Sequence, residues 1–122
     1  MVHIIMTDRN KKIPAVFFIT SNGNEPVREW LLNLQKEDRL IVGTDIKTVE
    51  YGWPIGMPTC RPMGDGLHEV RSNISGTRIA RMLFFVHKNK MMLLHGFIKK
   101  TMKTPKLDLD IAKKRKKEVE NG

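Results

Sequence analysis

The sequence predicts an α+β fold in the order β-α-α-β-β-β-α. A mainly antiparallel, twisted sheet is expected, covered on one face by an N-terminal helical hairpin and a C-terminal helix. Three observations carry this. The runs Leu67–Asn73, Arg78–Val86 and Met91–Lys99 are rich in β-branched, aromatic and other apolar residues and are separated only by short turns, as in an antiparallel meander. Val27, Trp30, Leu31 and Leu34 recur at i, i+3, i+4 and i+7, the apolar stripe of a helix. Leu107 and Ile111, continued by Arg115 and Val119, mark one face of a further helix near the C-terminus. Strands and helices segregated along the chain in this way define the α+β class.

Taken in order, Ile13–Thr20 is β-branched and aromatic and reads as the first strand, with Pro14 tolerable near its start or at a sheet edge. Asn24 is the expected N-cap of the first helix, with Glu25 and Pro26 in its opening turn. A second helix is predicted from about Lys36 to Glu50, presenting Val42, Ile46 and Val49 on one face, with Gly43 a weak point in its middle. Tyr51–Gly66 contains Pro54, Pro58 and Pro62 and four glycines, and is predicted to be one long irregular loop. Ser75-Gly76 and His87–Lys90 then supply the turns of the meander.

With 122 residues the chain is read as a single domain, with residues 1–12 as an N-terminal segment and 113–122 as a basic, fraying helix end. The 40% of hydrophobic residues suffices for one modest core. A formal net charge of +9 and a pI near 9.9 bias so short a chain towards polyanions. Membrane insertion is not expected, because no apolar run approaches the roughly 18–20 residues of a span, and Met1–Arg9 lacks the pattern of a signal peptide. The single cysteine, Cys60, cannot form an internal disulfide, which points to a reducing, cytoplasmic setting. His3, His68, His87 and His95 show no ligand spacing, so neither a metal nor another cofactor is expected.

The residues that point to chemistry lie at the strand ends. Lys99, Lys100 and Lys103 follow directly on the apolar run Leu93–Ile98. Cations fixed to a rigid element stabilise developing negative charge without reorganising, as phosphate chemistry requires. Arg81 interrupts the apolar strand Ile79–Phe85 and offers planar, bidentate donors; its other reading is a stem packed in the core edge with the head in solvent. Arg71 lies on the neighbouring strand and can reach the same pocket or pair with Glu69 or the helical hairpin. Arg78 reads as a phosphate-backbone contact. His68, expected to be exposed, and His95, expected to be a satisfied core histidine, are the conventional base candidates. Lys113, Lys114 and Arg115 open the run Lys113–Lys117, either a solvated helix face or an RNA-docking surface whose binding depends on salt.

Leu67-His68-Glu69-Val70-Arg71, Arg78–Phe85 and above all His95-Gly96-Phe97-Ile98-Lys99-Lys100-Thr101-Met102-Lys103-Thr104-Pro105 closely resemble the HigB-like, phage-derived branch of the RelE/ParE toxin superfamily. The resemblance covers roughly residues 13–115, and the element order above matches that superfamily. It implies a toxin of a type II toxin–antitoxin system, acting in the cytoplasm as a ribosome-dependent mRNA endonuclease without a metal. The alternatives are a ParE-like, non-catalytic inhibitor of DNA gyrase and a basic RNA-binding module. It further implies a helix-turn-helix antitoxin as partner in a hetero-oligomer, and mRNA in the ribosomal A site, beside 16S ribosomal RNA, as target. Carried onto this chain, the implied catalytic residues are Arg81, Lys99, Arg71 and Lys100. Arg78, Lys103, His68, Lys113, Lys114 and Arg115 would bind RNA. The sequence departs from the family in two ways. No histidine–aspartate pair is evident, and the only tyrosine, Tyr51, lies far from the C-terminus. Phe97 or Trp53 would have to stack on a base instead.

Overall fold

In the computed structural model, residues 10–99 and 104–122 are described. Their elements are β1 (Ala15–Phe17), α1 (Pro26–Leu32), α2 (Lys36–Gly52), β2 (Cys60–Gly64), β3 (Leu67–Asn73), β4 (Ile79–His87), β5 (Lys90–Lys99) and α3 (Lys106–Asn121). The strands form one sheet in the order β1-β5-β4-β3-β2. β1 runs parallel to β5, while the other three pairings are antiparallel. The α+β class and the β3–β4–β5 meander are therefore as expected, and a strand has been added to the predicted order.

That strand is β2, inside the stretch expected to be irregular. Pro62 lacks an amide proton, yet β2 is an edge strand bonded only to β3, where a missing donor on the open side breaks no ladder bond. A register shift between Pro62 and Gly64 absorbs the remaining mismatch. β1 is shorter than predicted: Ala15, Val16 and Phe17 stand in register with Met91, Met92 and Leu93, and single bonds from Met91 N–H to Pro14 O and from Phe18 N–H to Leu93 O close its ends. The amides of Lys12 and Ile13 go instead to the Glu50 carbonyl, and Ala15 N–H donates to the Glu50 carboxylate at 2.6 Å. Lys11 pairs with the same carboxylate at 3.3 Å, so the end of α2 is tied to the start of β1. At α1 the N-cap is Glu25 and not Asn24, whose amide closes a turn onto Thr20.

The helices do not share one face of the sheet. α1 and α2 cover one side through Val27, Val42, Ile46 and Val49, packed on Val70, Ala80, Met82, Phe84 and Leu93. α3 covers the other through Ala112, Leu109 and Val119, packed on Leu67, Leu83, Phe85 and Leu94. β4 explains the correction: Ala80, Met82 and Phe84 alternate with Leu83 and Phe85, so both of its faces are apolar and both need cover. Gly96 makes the hairpin face possible, because a Cβ there would collide with the Trp30 indole. Lys88 and Asn89, with φ of 50° and 63°, form the tight β4–β5 turn through the left-handed geometry that hairpins favour. None of the helices among the described residues is long and apolar enough to cross a membrane.

Candidate functional site

Cross-strand register places the charged strand residues on a lattice. Arg61 on β2 lies opposite Glu69 on β3, which lies opposite Leu83 on β4, itself opposite His95 on β5. The next row is Arg71, Arg81 and Phe97, and the row beyond it Asn73, Ile79 and Lys99. Leu67, Leu83 and Phe97 belong to the core under α3. By the two-residue alternation of strands, Glu69, Arg71, Arg81, His95 and Lys99 stand on that same face. Arg71, Arg81 and Lys99, three of the four expected catalytic residues, therefore share one face. Lys100 and Lys103 lie outside the described residues.

The centre of the lattice is Glu69, fully buried. Its Oε1 accepts from Arg81 Nη1 at 3.0 Å and lies 3.2 Å from Arg61 Nε, while Oε2 accepts from the Thr104 hydroxyl at 2.6 Å. Arg81 is 0% exposed, so its head does not reach solvent. Burial pushes its pKa down, the Glu69 carboxylate opposes that, and the nearby Arg71 and Arg61 charges add to it; a guanidinium nonetheless stays protonated. Glu69 thus pairs with Arg81 and Arg61. Arg71 Nε is buried and without a hydrogen-bond partner among the described residues. Two guanidiniums, those of Arg81 and Arg61, bond the one carboxylate and the Arg71 charge lies near Arg81, so positive charge is in surplus here, with Lys99 on the same face. Such a surplus, held rigidly by strands, favours a nearby anion.

His95 adjoins this cluster, half-buried and not a core residue. Its Nε2 lies 2.7 Å from Asp108 Oδ1, in the first turn of α3, and its ring stacks on Phe97 at 5.6 Å. A histidine–carboxylate pair is therefore present, joining positions on β5 and α3 that no local pattern links.

The other expected RNA-binding residues lie elsewhere. Arg78 Nη2 donates to the buried Asp38 at 2.8 Å and to Ser75 Oγ, and its Nε to Ser75 O. It clamps the β3–β4 turn to α2. His68 is on the hairpin face, half-buried, between Trp53 at 4.8 Å and Phe84 at 5.4 Å, and burial lowers its pKa. Trp53 also packs on Phe84, at 5.7 Å, so it is a core residue. Arg115 lies over the Phe18 ring and donates to the Leu94 carbonyl at 2.8 Å, fastening α3 to β5; burial lowers its pKa against the pull of Glu118. Lys113 is half-exposed and 3.5 Å from Asp65. Lys114 lines a groove of about 730 Å³ with Phe17, Phe18 and Val119, away from the arginine lattice. Cys60 is buried, its thiol pushed up to about 11 mainly by desolvation, which makes it a poor nucleophile. Among the described residues no cluster of three or more His, Cys, Asp or Glu is placed to hold a metal.

Sequence reasoning missed Arg61, Glu69 and Asp108 as members of the site. Arg61 was hidden by treating β2 as loop. The signal for Glu69 was available: it falls two residues after Leu67 and two before Arg71, on the apolar side of a strand.

Fold and site together define a small basic α+β domain that displays a charge-surplus arginine lattice on one sheet face. Residues 29–117 match the family described as phage derived protein Gp49-like (DUF891). The chain belongs to that family, a toxin-like family of the RelE/HigB type. No curated protein matches the chain.

Proposed function

We propose that the protein is the toxin of a type II toxin–antitoxin system and cuts mRNA on the ribosome. The observation that carries this reading is the lattice of Arg61, Arg71 and Arg81 around the single carboxylate of Glu69, with Lys99 beside it. Membership of a toxin-like family supports the toxin half of the reading.

In the proposed reaction a 2′-hydroxyl attacks the adjacent phosphate, and the anionic phosphorane that forms is the species the protein must stabilise. Arg71 and Lys99 are the catalytic residues, gripping the phosphate oxygens. Arg81, buried beneath them, contributes its field and the alignment of its neighbours without touching RNA. Alignment by the ribosome-bound substrate lowers the barrier further, since positioning alone can be worth about 7–11 kcal/mol. Lys100 and Lys103, next along the chain, are assigned to the reaction and to RNA binding from the sequence alone. Lys113 and Lys114 serve as secondary contacts to ribosomal RNA. A helix-turn-helix antitoxin would neutralise this surface with acidic groups, in a cytoplasmic hetero-oligomer.

Expression of the chain in cells, followed by mapping of RNA 5′ ends, tests the proposal. New 5′-hydroxyl ends within translated codons are expected. DNA breakage with intact transcripts would point instead to gyrase, and unaffected growth to a harmless RNA-binding module.

A further inference from the structure

We propose that Thr104 keeps the Arg71 guanidinium available to an RNA phosphate, by holding the Glu69 carboxylate turned towards Arg81 and Arg61; this rests on the nuclease reading above. Thr104 is a positioning residue and touches no RNA itself.

The geometry around Glu69 carries the inference. Thr104 is 5% exposed, and its hydroxyl donates to Glu69 Oε2 at 2.6 Å. A hydroxyl has a single proton to donate, and here it is committed to the carboxylate. Pro105 follows directly, and a residue before proline is confined to extended backbone, which fixes the direction from which the hydroxyl approaches. The other oxygen, Oε1, accepts from Arg81 Nη1 at 3.0 Å and lies 3.2 Å from Arg61 Nε. The carboxylate is thus held at both oxygens, and its rotation is set.

Arg71 is the neighbour left out of this arrangement. It stands two residues beyond Glu69 on the same face of β3, opposite Arg81, near enough for its charge to act on the Arg81 guanidinium. Its Nε is nevertheless buried without a hydrogen-bond partner among the described residues. A buried donor without an acceptor is unfavourable, and a guanidinium beside a carboxylate readily forms a two-pronged pair with it. Arg71 and Glu69 do not form that pair. Thr104 holds Oε2, the oxygen such a pair would need, while Oε1 serves Arg81 and Arg61. Arg71 is half-buried, so an acceptor can reach it from outside, and phosphate oxygens match the guanidinium fork.

The test is binding of a defined single-stranded RNA oligomer, read by fluorescence anisotropy over a salt series, with cleavage on purified ribosomes measured in parallel. The full chain is compared with T104V, T104S, R71A and the double variant T104V/R71A. Valine keeps the shape of threonine but not its donor, so in T104V Oε2 is vacated and Arg71 turns to it. T104V should bind roughly tenfold more weakly, and its dependence of log affinity on log salt should flatten by about 0.7, one phosphate contact. T104S keeps the hydroxyl and should bind as wild type does. Adding T104V to R71A should weaken binding no further, because the residue it acts through is gone. Should T104V fail to fold, T104C, whose thiol is a weaker donor, is held to the same outcomes. Wild-type affinity and slope in the Thr104 variant, or a loss that persists in full beside R71A, would overturn the proposal whatever happens to thermal melting. RNA bound with the expected pattern but never cut would overturn the nuclease reading alone, and a wild-type chain that binds no RNA would overturn both.

Discussion

Arg78 and Arg81 lie three residues apart in the sequence, and each bonds a buried carboxylate, but the two clusters are built differently. Around Asp38, one arginine meets one carboxylate. Asp38 accepts from the Ser75 amide and hydroxyl, both at 3.1 Å, and from Arg78 at 2.8 Å, and Arg78 spends its remaining described bonds on Ser75. The cluster is neutral and closed. Around Glu69, two arginines bond one carboxylate and a third, Arg71, lies near Arg81, so positive charge is left over. Burial does not separate the two, since Asp38 is 1% and Glu69 0% exposed. What separates a structural arginine from one available to a ligand is the ratio of cations to carboxylates about it, together with the face on which it stands.

The largest effect should come from removing the carboxylate of the surplus cluster. E69Q would take away the carboxylate that Arg81 and Arg61 both bond, breaking a buried pair, a loss of about 3–5 kcal/mol in stability, read from urea unfolding. D38N should lower the urea midpoint less and leave cutting per folded molecule unchanged. A D38N variant as unstable as E69Q would remove the energetic distinction between the clusters. For the same reason R81A is expected to damage the fold, and so is a poor test of chemistry.

Next in size are effects on binding. R61A and R71A should each weaken RNA binding, and each lost phosphate contact should flatten the dependence of log affinity on log salt by about 0.7 for single strands. R78A should leave that slope unchanged, since its guanidinium is already committed to Asp38. Filter binding or fluorescence anisotropy over a salt series reads all three; a slope that falls as much in R78A as in R71A would erase the comparison.

How legible this was in the sequence depended on the kind of signal. The meander and the α2 stripe were legible because periodicity is local and strong, and Arg81, Arg71 and Lys99 were legible because charges interrupt or end apolar runs. The sidedness of α3 was misjudged, although Leu83 and Phe85 alternating with Met82 and Phe84 show that both faces of β4 are apolar. β2 was hidden because Pro62 is read as a breaker unless the strand is known to lie at an edge. The pairings Glu69–Thr104 and His95–Asp108 join residues far apart in the chain, which no local pattern encodes. Arg78 shows the converse: its charge was legible, but its partner, 40 residues earlier in α2, was not.

The smallest effects concern pH. The Ser75 amide, foremost, and the Ser75 hydroxyl and Arg78 hold the Asp38 carboxyl below its ordinary value despite burial. Its stabilising contribution is therefore complete above the ordinary carboxylate range and lost as pH falls through the lowered folded value. Urea midpoints of wild type and D38N should converge in that acid range. His68 acts at higher pH. Its folded pKa is lowered by burial, so the unfolded chain takes up the proton first. Stability should fall as pH drops through the ordinary imidazole range and level off below the lowered value. H68F should remove that shallow step; a step that survives would have to come from another histidine.

The most direct test of the charge-surplus account is to map RNA 5′ ends in cells expressing wild type, R78A, or the double variant R71A/K99A, with folding checked by thermal melting. The account predicts new ends inside coding sequences for wild type and R78A, and none for a folded R71A/K99A chain. The same ends appearing with R71A/K99A would contradict it.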